Sequence, residues 1–181
     1  MKFIKGDLEG LWIIEPKVFG DHRGYFMESF QSEKFEAETG HKVNFVQDNE
    51  SLSAKGVLRG LHFQKPPHAQ GKLVRVISGA VLDVAVDIRK DSPTYGKHQS
   101  IVLTGENKTQ FYIPPGFAHG FLTLEDNTLF SYKCTDFYHP ESEGSLAWFD
   151  QDLGIEWGDI APVISDKDKD AGSFASFTSP F

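Results

Sequence analysis

A chain of 181 residues with a formal charge of −8 can bury one substantial core, and it is too acidic to hold nucleic-acid backbones, which require clustered Lys and Arg. The most apolar stretch, residues 73–88, is broken by Arg75, Asp83 and Asp87, so no segment reads as a membrane span, and the N-terminus lacks the pattern of a secretory signal. The lone Cys134 has no partner for an internal disulfide, which fits a reducing cytoplasm, while 16 phenylalanines suit a cavity with stacking walls as well as a core.

In chain order, strand signals fall at residues 10–19, 24–30, 44–51, 56–64, 72–79, 80–89, 99–105, 109–115 and 128–138, each bounded by Gly, Pro, Asn or Asp. The one clear helix is residues 32–40, where Ser32 can cap, Glu33 suits the first turn and Gly40 can end it. Tight turns are expected at 78–80 and 104–107, and the chain beyond Pro140 reads as loops and short turns. No repeat or linker divides residues 1–181, so they form a single domain. Many short, evenly spaced strands predict a mainly β, antiparallel barrel or sandwich, best a jelly roll with a few short helices.

Two segments carry polar groups where apolar ones are expected. In residues 81–88, Leu82, Val84, Val86 and Ile88 share one face, while Val81, Asp83, Ala85 and Asp87 share the other, which is expected to meet a polar cavity. Asp83, near the strand centre, reads first as a structural hydrogen-bond acceptor. In "VLRGLHFQ" (57–64), Arg59 and His62 interrupt an apolar run, and strict alternation puts them on opposite faces. Gly60 predicts a bulge that resets this parity and turns both side chains into one pocket.

The "PPGFAHGF" stretch (114–121) matches the P-x-G-x-x-H of the second cupin motif, in which a turn delivers a histidine, here His119, into a jelly-roll cavity. Gly56 and His62 resemble the start of the first cupin motif, but Gln64 occupies the second histidine position and no Glu follows at the usual spacing. A metal site of that kind uses three histidines and a carboxylate, so no tightly held metal is expected. Lys72, seven residues before Gly79, stands at the offset of the missing Glu, and its ammonium can replace the metal as the fixed positive charge. A histidine beside a lysine without a metal suggests removal of an α-proton next to a carbonyl, with the lysine on the enolate oxygen. Tyr132 and Tyr138 share strand parity with Cys134 and supply hydroxyls able to return a proton.

Seven segments in order, at 21–30, 46–51, 56–64, 71–89, 112–121, 132–138 and 164–168, together resemble the dTDP-4-dehydrorhamnose 3,5-epimerase family across nearly the whole chain. The resemblance implies a cofactor-free cupin homodimer that exchanges N-terminal strands and inverts C3 and C5 of dTDP-4-dehydro-6-deoxy-D-glucose. It implies His62 as base, Asp168 as its orienting carboxylate, Lys72 on the enolate and Tyr132 as proton donor. Asp166, Asp170 and Asp83 are the other candidates for the partner of His62. Arg59, Gln47, Asn49, Ser51 and His119 are implied to line the sugar and diphosphate pocket together with Lys72. Arg23, Phe26 and Glu28 match the nucleotide-binding segment, Tyr138 can stack on the base, and Glu143 and Lys167 stand at further nucleotide contacts. Close relatives invert only C3 or only C5, or isomerise the ketone. A metal-dependent cupin enzyme and a non-catalytic nucleotide-sugar binding module are the alternatives of other classes.

Overall fold

A computed structural model describes residues 1–181. Its thirteen strands are β1 (Lys2–Lys5), β2 (Trp12–Glu15), β3 (Val18–Asp21), β4 (Gly24–Met27), β5 (Gln47–Ser53), β6 (Leu58–Gln64), β7 (Lys72–Ser78), β8 (Ala80–Asp87), β9 (His98–Thr104), β10 (Gln110–Ile113), β11 (Phe117–Thr123), β12 (Thr128–Cys134) and β13 (Glu143–Ser145). The helices are α1 (Ser32–Thr39) and the single turn α2 (Asp166–Lys169). A six-stranded sheet in the order β1-β2-β10-β7-β12-β5 packs against a five-stranded sheet in the order β13-β6-β11-β8-β9, and all their strand pairings are antiparallel. This is the expected jelly roll. The hairpin β3–β4 pairs only with itself.

Three apolar clusters hold the layers together. Val74, Val76, Val81, Ala85, Leu103, Phe111, Phe121 and Phe130 fill the space between the sheets. Outside the five-stranded sheet, Leu58, Leu61, Val84, Val86 and Ile88 are covered by the C-terminal tail through Leu146, Leu153 and Trp157. On the outer face of the other sheet, Phe35 of α1 packs against Leu73 and Tyr112, with Phe30 and Phe45 beside it. Fully burying each such side chain contributes about 1.5–3 kcal/mol, so the tail and α1 are structural layers of the fold.

Local chemistry moved several expected boundaries. The side chain of Gln31, not Ser32, caps α1 by accepting the Lys34 N–H, and Gly40 ends the helix at φ +74° as expected. The segment 10–19 divides at Pro16 and Lys17 into β2 and β3. Strand β11 had no alternation to reveal it, because all seven of its residues are buried.

Strand β8 corrects one expectation. Both of its faces are buried, and its carboxylates are satisfied by protein partners without lining an open cavity. Asp83 contacts His119 Nε2 at 3.0 and 2.9 Å. Burial disfavours the charge on Asp87, but hydrogen bonds from Arg89, Ser92 and Thr94 prevail and lower its pKa to about 2.

Candidate active site

The expected irregularity lies in β6. His62 stands opposite His119 and Arg59 opposite Phe121, so three steps along β6 match two along β11. The extra residue places Arg59 and His62 on the same side of the strand, and both line one cavity of about 660 Å³. Gly60 makes this possible. Its φ is +130°, and a Cβ there would lie 2.5 Å from the Gly120 Cα of the neighbouring strand.

The cavity opens between the ends of the two sheets. From the five-stranded sheet come Arg59, His62, His119 and Phe121, and from the other Asn49, Ser51, Lys72 and Tyr132. Register explains the second set. Tyr132 pairs with Asn49, Phe130 with Ser51, and Cys134 with both Gln47 and Lys72, so alternate residues of three adjacent strands point the same way. A second lobe of about 260 Å³ shares Asn49, His62, Lys72 and Tyr132 and adds Gln47, Gln64, Tyr138 and Glu143. The four shared residues mark the junction of the lobes.

His62 Nε2 lies 2.5 Å from Asp168 Oδ1, and Ser165 Oγ donates to Asp168 Oδ2 at 2.9 Å. Ser165 also caps α2 by accepting the Asp168 N–H at 3.2 Å, and the Asp168 side chain is only 3% exposed. Among the candidate carboxylates, then, Asp168 is the one paired with His62. Asp166 bonds Lys169 and Asp83 serves His119. The tautomer that donates from Nε2 to Asp168 leaves Nδ1 with the lone pair.

Burial lowers the pKa of His62 and Asp168 acts against that shift, while Lys72 and Lys167 push it further down. Burial likewise lowers Lys72, opposed by Cys134, Asp83 and Glu143. The Lys72 Nζ sits 5.9 Å from the centre of the Tyr132 ring and has no hydrogen-bond partner in the protein. Burial and Cys134 raise the pKa of Tyr132, against the pull of Arg59. In the cavity, burial thus disfavours the charged forms of the imidazole, the ammonium and the phenol alike.

The rim is polar. Arg59 Nη2 donates to Ser53 Oγ at 3.3 Å, and Ser51 Oγ is buried without a partner. Glu143 accepts from Lys167 at 2.5 Å and from the Tyr138 hydroxyl at 2.9 Å, so these three residues form one group. Gln47 Nε2 donates to Asn49 Oδ1 at 3.0 Å, and Gln47 Oε1 accepts the Tyr138 N–H at 2.9 Å. Gln64, at the expected histidine position, is buried and clamps backbone. Its amide donates to the carbonyls of His68 and Phe137 and accepts the His139 N–H.

Three expected site residues lie elsewhere in the same chain. Arg23 pairs with Asp21 at the tip of the β3–β4 hairpin, Glu28 pairs with Lys34, and Phe26 is 70% exposed. The cavity also has walls that sequence reading did not single out, namely Glu50, Val57, Leu58, Phe121, Val163, Ile164 and Ser165. The S-x-x-D pattern from Ser165 to Asp168 was the available signal for the last of these, since it marks a helix start.

A jelly roll that opens on a His–Asp pair, a half-buried lysine and a half-buried tyrosine defines a cupin-type protein fitted for proton transfer. The chain belongs to the dTDP-4-dehydrorhamnose 3,5-epimerase family, whose model matches residues 5–176. It is 54% identical over 174 residues to the dTDP-4-dehydrorhamnose 3,5-epimerase of Shigella flexneri, covering 96% of each chain. Among solved structures, the Legionella pneumophila dTDP-6-deoxy-D-glucose-3,5-epimerase in complex with dTDP-4-keto-L-rhamnose superposes with a TM-score of 0.94 at 50% identity, over 98% of this chain and 94% of that one. A 3′-monoepimerase from Streptomyces bikiniensis, solved with dTDP as a double mutant with one histidine and one tyrosine replaced, matches at 37% identity with a TM-score of 0.91, over 95% and 87% of the two chains.

Proposed function

We propose that this protein is an isomerase that inverts C3 and C5 of dTDP-4-dehydro-6-deoxy-D-glucose and releases dTDP-4-dehydro-L-rhamnose, the step that serves dTDP-L-rhamnose formation. The observation that carries this reading is the position of His62, paired with Asp168, and Tyr132 on opposite walls of one cavity, with Lys72 beside the tyrosine. C3 and C5 both flank the C4 ketone, so loss of a proton from either carbon gives an enolate on the same oxygen. His62 Nδ1 takes the proton, and Asp168 stabilises the resulting imidazolium. The Lys72 ammonium, free of other partners, meets the enolate oxygen in a site where burial strengthens the contact. Tyr132 then delivers a proton from the other wall and the stereocentre is inverted. The step is redox-neutral, and it leaves His62 protonated and Tyr132 ionised, so exchange with solvent resets both groups before the second carbon is inverted.

Arg59 and Lys167 supply positive charge at the cavity for the diphosphate, and the unpartnered Ser51 hydroxyl is free for a sugar or phosphate oxygen. Asn49 and His119 complete the sugar wall, with Gln47, Tyr138 and Glu143 in the second lobe. The protein acts as a homodimer in which the β3–β4 hairpin brings Arg23, Phe26 and Glu28 to the partner's cleft. Support comes from a hairpin that joins neither sheet and exposes Phe19, Tyr25 and Phe26. Cytoplasmic placement fits the single buried thiol of Cys134.

The similarity to a 3′-monoepimerase keeps inversion at C3 alone as a second reading. Incubation with the 4-keto sugar nucleotide in deuterated water, read separately at C3 and C5, decides between them. Deuterium at both carbons of an inverted product is expected. Label at C3 alone gives the monoepimerase, and label at C5 alone or at neither carbon rejects both readings.

Asp168 also sets a pH signature. Its charge raises the pKa of His62 against burial, so Asp168→Asn is expected to move the acidic limb of kcat/KM to lower pH. In the same variant kcat should fall about 100-fold, because the base has lost its orienting partner. A limb that moves to higher pH would contradict the electrostatic account.

A further inference from the structure

Outside the cavity, one side-chain cluster has the composition and spacing of a metal site. One ligand atom from each of His68, Asp136 and His139 lies within 4.8 Å of the other two, and these are the only three His, Cys, Asp or Glu residues so grouped in the protein. We propose that His68, Asp136 and His139 bind a single divalent transition-metal ion, with Zn²⁺ the best fit. Two imidazoles and one carboxylate are a donor set of the borderline kind that Zn²⁺ favours, and water completes the tetrahedron. Ligand atoms about 2.0–2.2 Å from one ion stand roughly 3.3–3.5 Å apart in a tetrahedron, so a modest contraction closes the site.

The surroundings hold the ligands in register. His68 Nδ1 is 3.2 Å from Asp136 Oδ2, and the rings of His68 and His139 stack at 3.5 Å between centres with 13° between planes. Imidazole lone pairs lie in the ring plane, so metal binding requires the two rings to tilt out of this stack until they converge on the ion. Glu141 lies 3.0 Å from His139 Nδ1 and adds a second carboxylate at the edge. The Phe137 N–H donates to Asp136 Oδ1 at 2.8 Å, so Oδ2 is the oxygen turned to His68.

The backbone is fixed as well. Gln64 binds the His68 and Phe137 carbonyls and the His139 N–H, and Gln70 donates to the Asp136 carbonyl at 2.8 Å. Two loops distant in sequence are therefore already joined by amides before any ion arrives. Such prior ordering lowers the entropic cost of capture. An ion there would clamp the loop preceding β7 to the loop following β12, next to Tyr138.

The test is titration of chelator-stripped protein with Zn²⁺ and with Co²⁺. One equivalent of Zn²⁺ is expected to bind with a Kd on the order of micromolar, and the melting temperature should rise with the logarithm of free Zn²⁺ above that Kd. Co²⁺ should give visible d–d bands characteristic of nitrogen and oxygen ligands. His68→Ala and His139→Ala should each weaken binding by at least about 10-fold and remove the Co²⁺ bands, while His98→Ala leaves both unchanged. Melting of each variant without metal separates loss of the site from loss of the fold. No saturable binding up to about 100 μM Zn²⁺, or equal binding in the His68/His139 double variant, would overturn the proposal.

Discussion

Replacement of His62 by alanine should abolish deuterium uptake at both C3 and C5, a loss of about 10²- to 10⁴-fold, while dTDP still binds with near-normal affinity. The expectation rests on His62 being the one imidazole at the junction of the two lobes, where it is paired with Asp168. His119 also lines the cavity, but its Nε2 is engaged by both oxygens of Asp83 and its side chain is only 8% exposed. Alanine leaves Asp168 with Ser165 alone, and stripping one member from a buried pair destabilises a protein by about 3–5 kcal/mol. His62→Asn therefore belongs beside it, since an amide can still donate to the carboxylate. Loss of exchange in both variants with a preserved circular dichroism spectrum identifies the base. Exchange at the wild-type rate would assign that role to another residue.

Tyr132→Phe should separate two events that the wild type couples. Proton removal by His62 and its return from the same side need no tyrosine, so deuterium should still enter recovered substrate within about 10-fold of the normal rate. Net inversion needs a donor on the other wall and should fall by about 10²-fold or more. The phenyl ring preserves the packing of Tyr132 against Phe130, so the cavity keeps its shape. A parallel loss of exchange and inversion would place the hydroxyl in substrate positioning or in the first proton transfer.

Most of the barrel was legible because its strands are short, alternate in polarity and end on turn formers. The exceptions have physical causes. Strand β11 is buried throughout, so periodicity could not distinguish it from a turn that presents His119. Strand β13 has only three residues and gains its identity by pairing with β6. The α1 cap moved to Gln31 because a long side chain can reach back to the Lys34 N–H as Ser32 would have done one residue later.

The site was legible in identity more than in arrangement. His62, Lys72, Tyr132 and Asp168 meet around the cavity although they are spread over 106 residues of chain, and only the fold brings them together. The run 166–170 looks like a solvated loop, yet Asp168 alone turns inward, because Ser165 starts a helical turn that directs its third residue toward β6. The hairpin residues could be recognised as chemically apt without any indication that they point away from their own cavity. Gln64 stood out as a missing ligand, while its use as a backbone clamp depends on loops far along the chain.

The extra residue in β6 bears on how such a site could arise. In a regular strand, a one-residue insertion exchanges inside for outside over everything beyond it and is normally ruinous. Here the frame slips by one residue beside a glycine, so that a group suited to phosphate and a group suited to carbon acids become neighbours on one wall. In an evenly paired strand, residues three apart face opposite ways, and only groups at an even spacing share a wall. An Arg and a His three residues apart on one wall of another jelly roll would therefore call for an added residue beside a glycine.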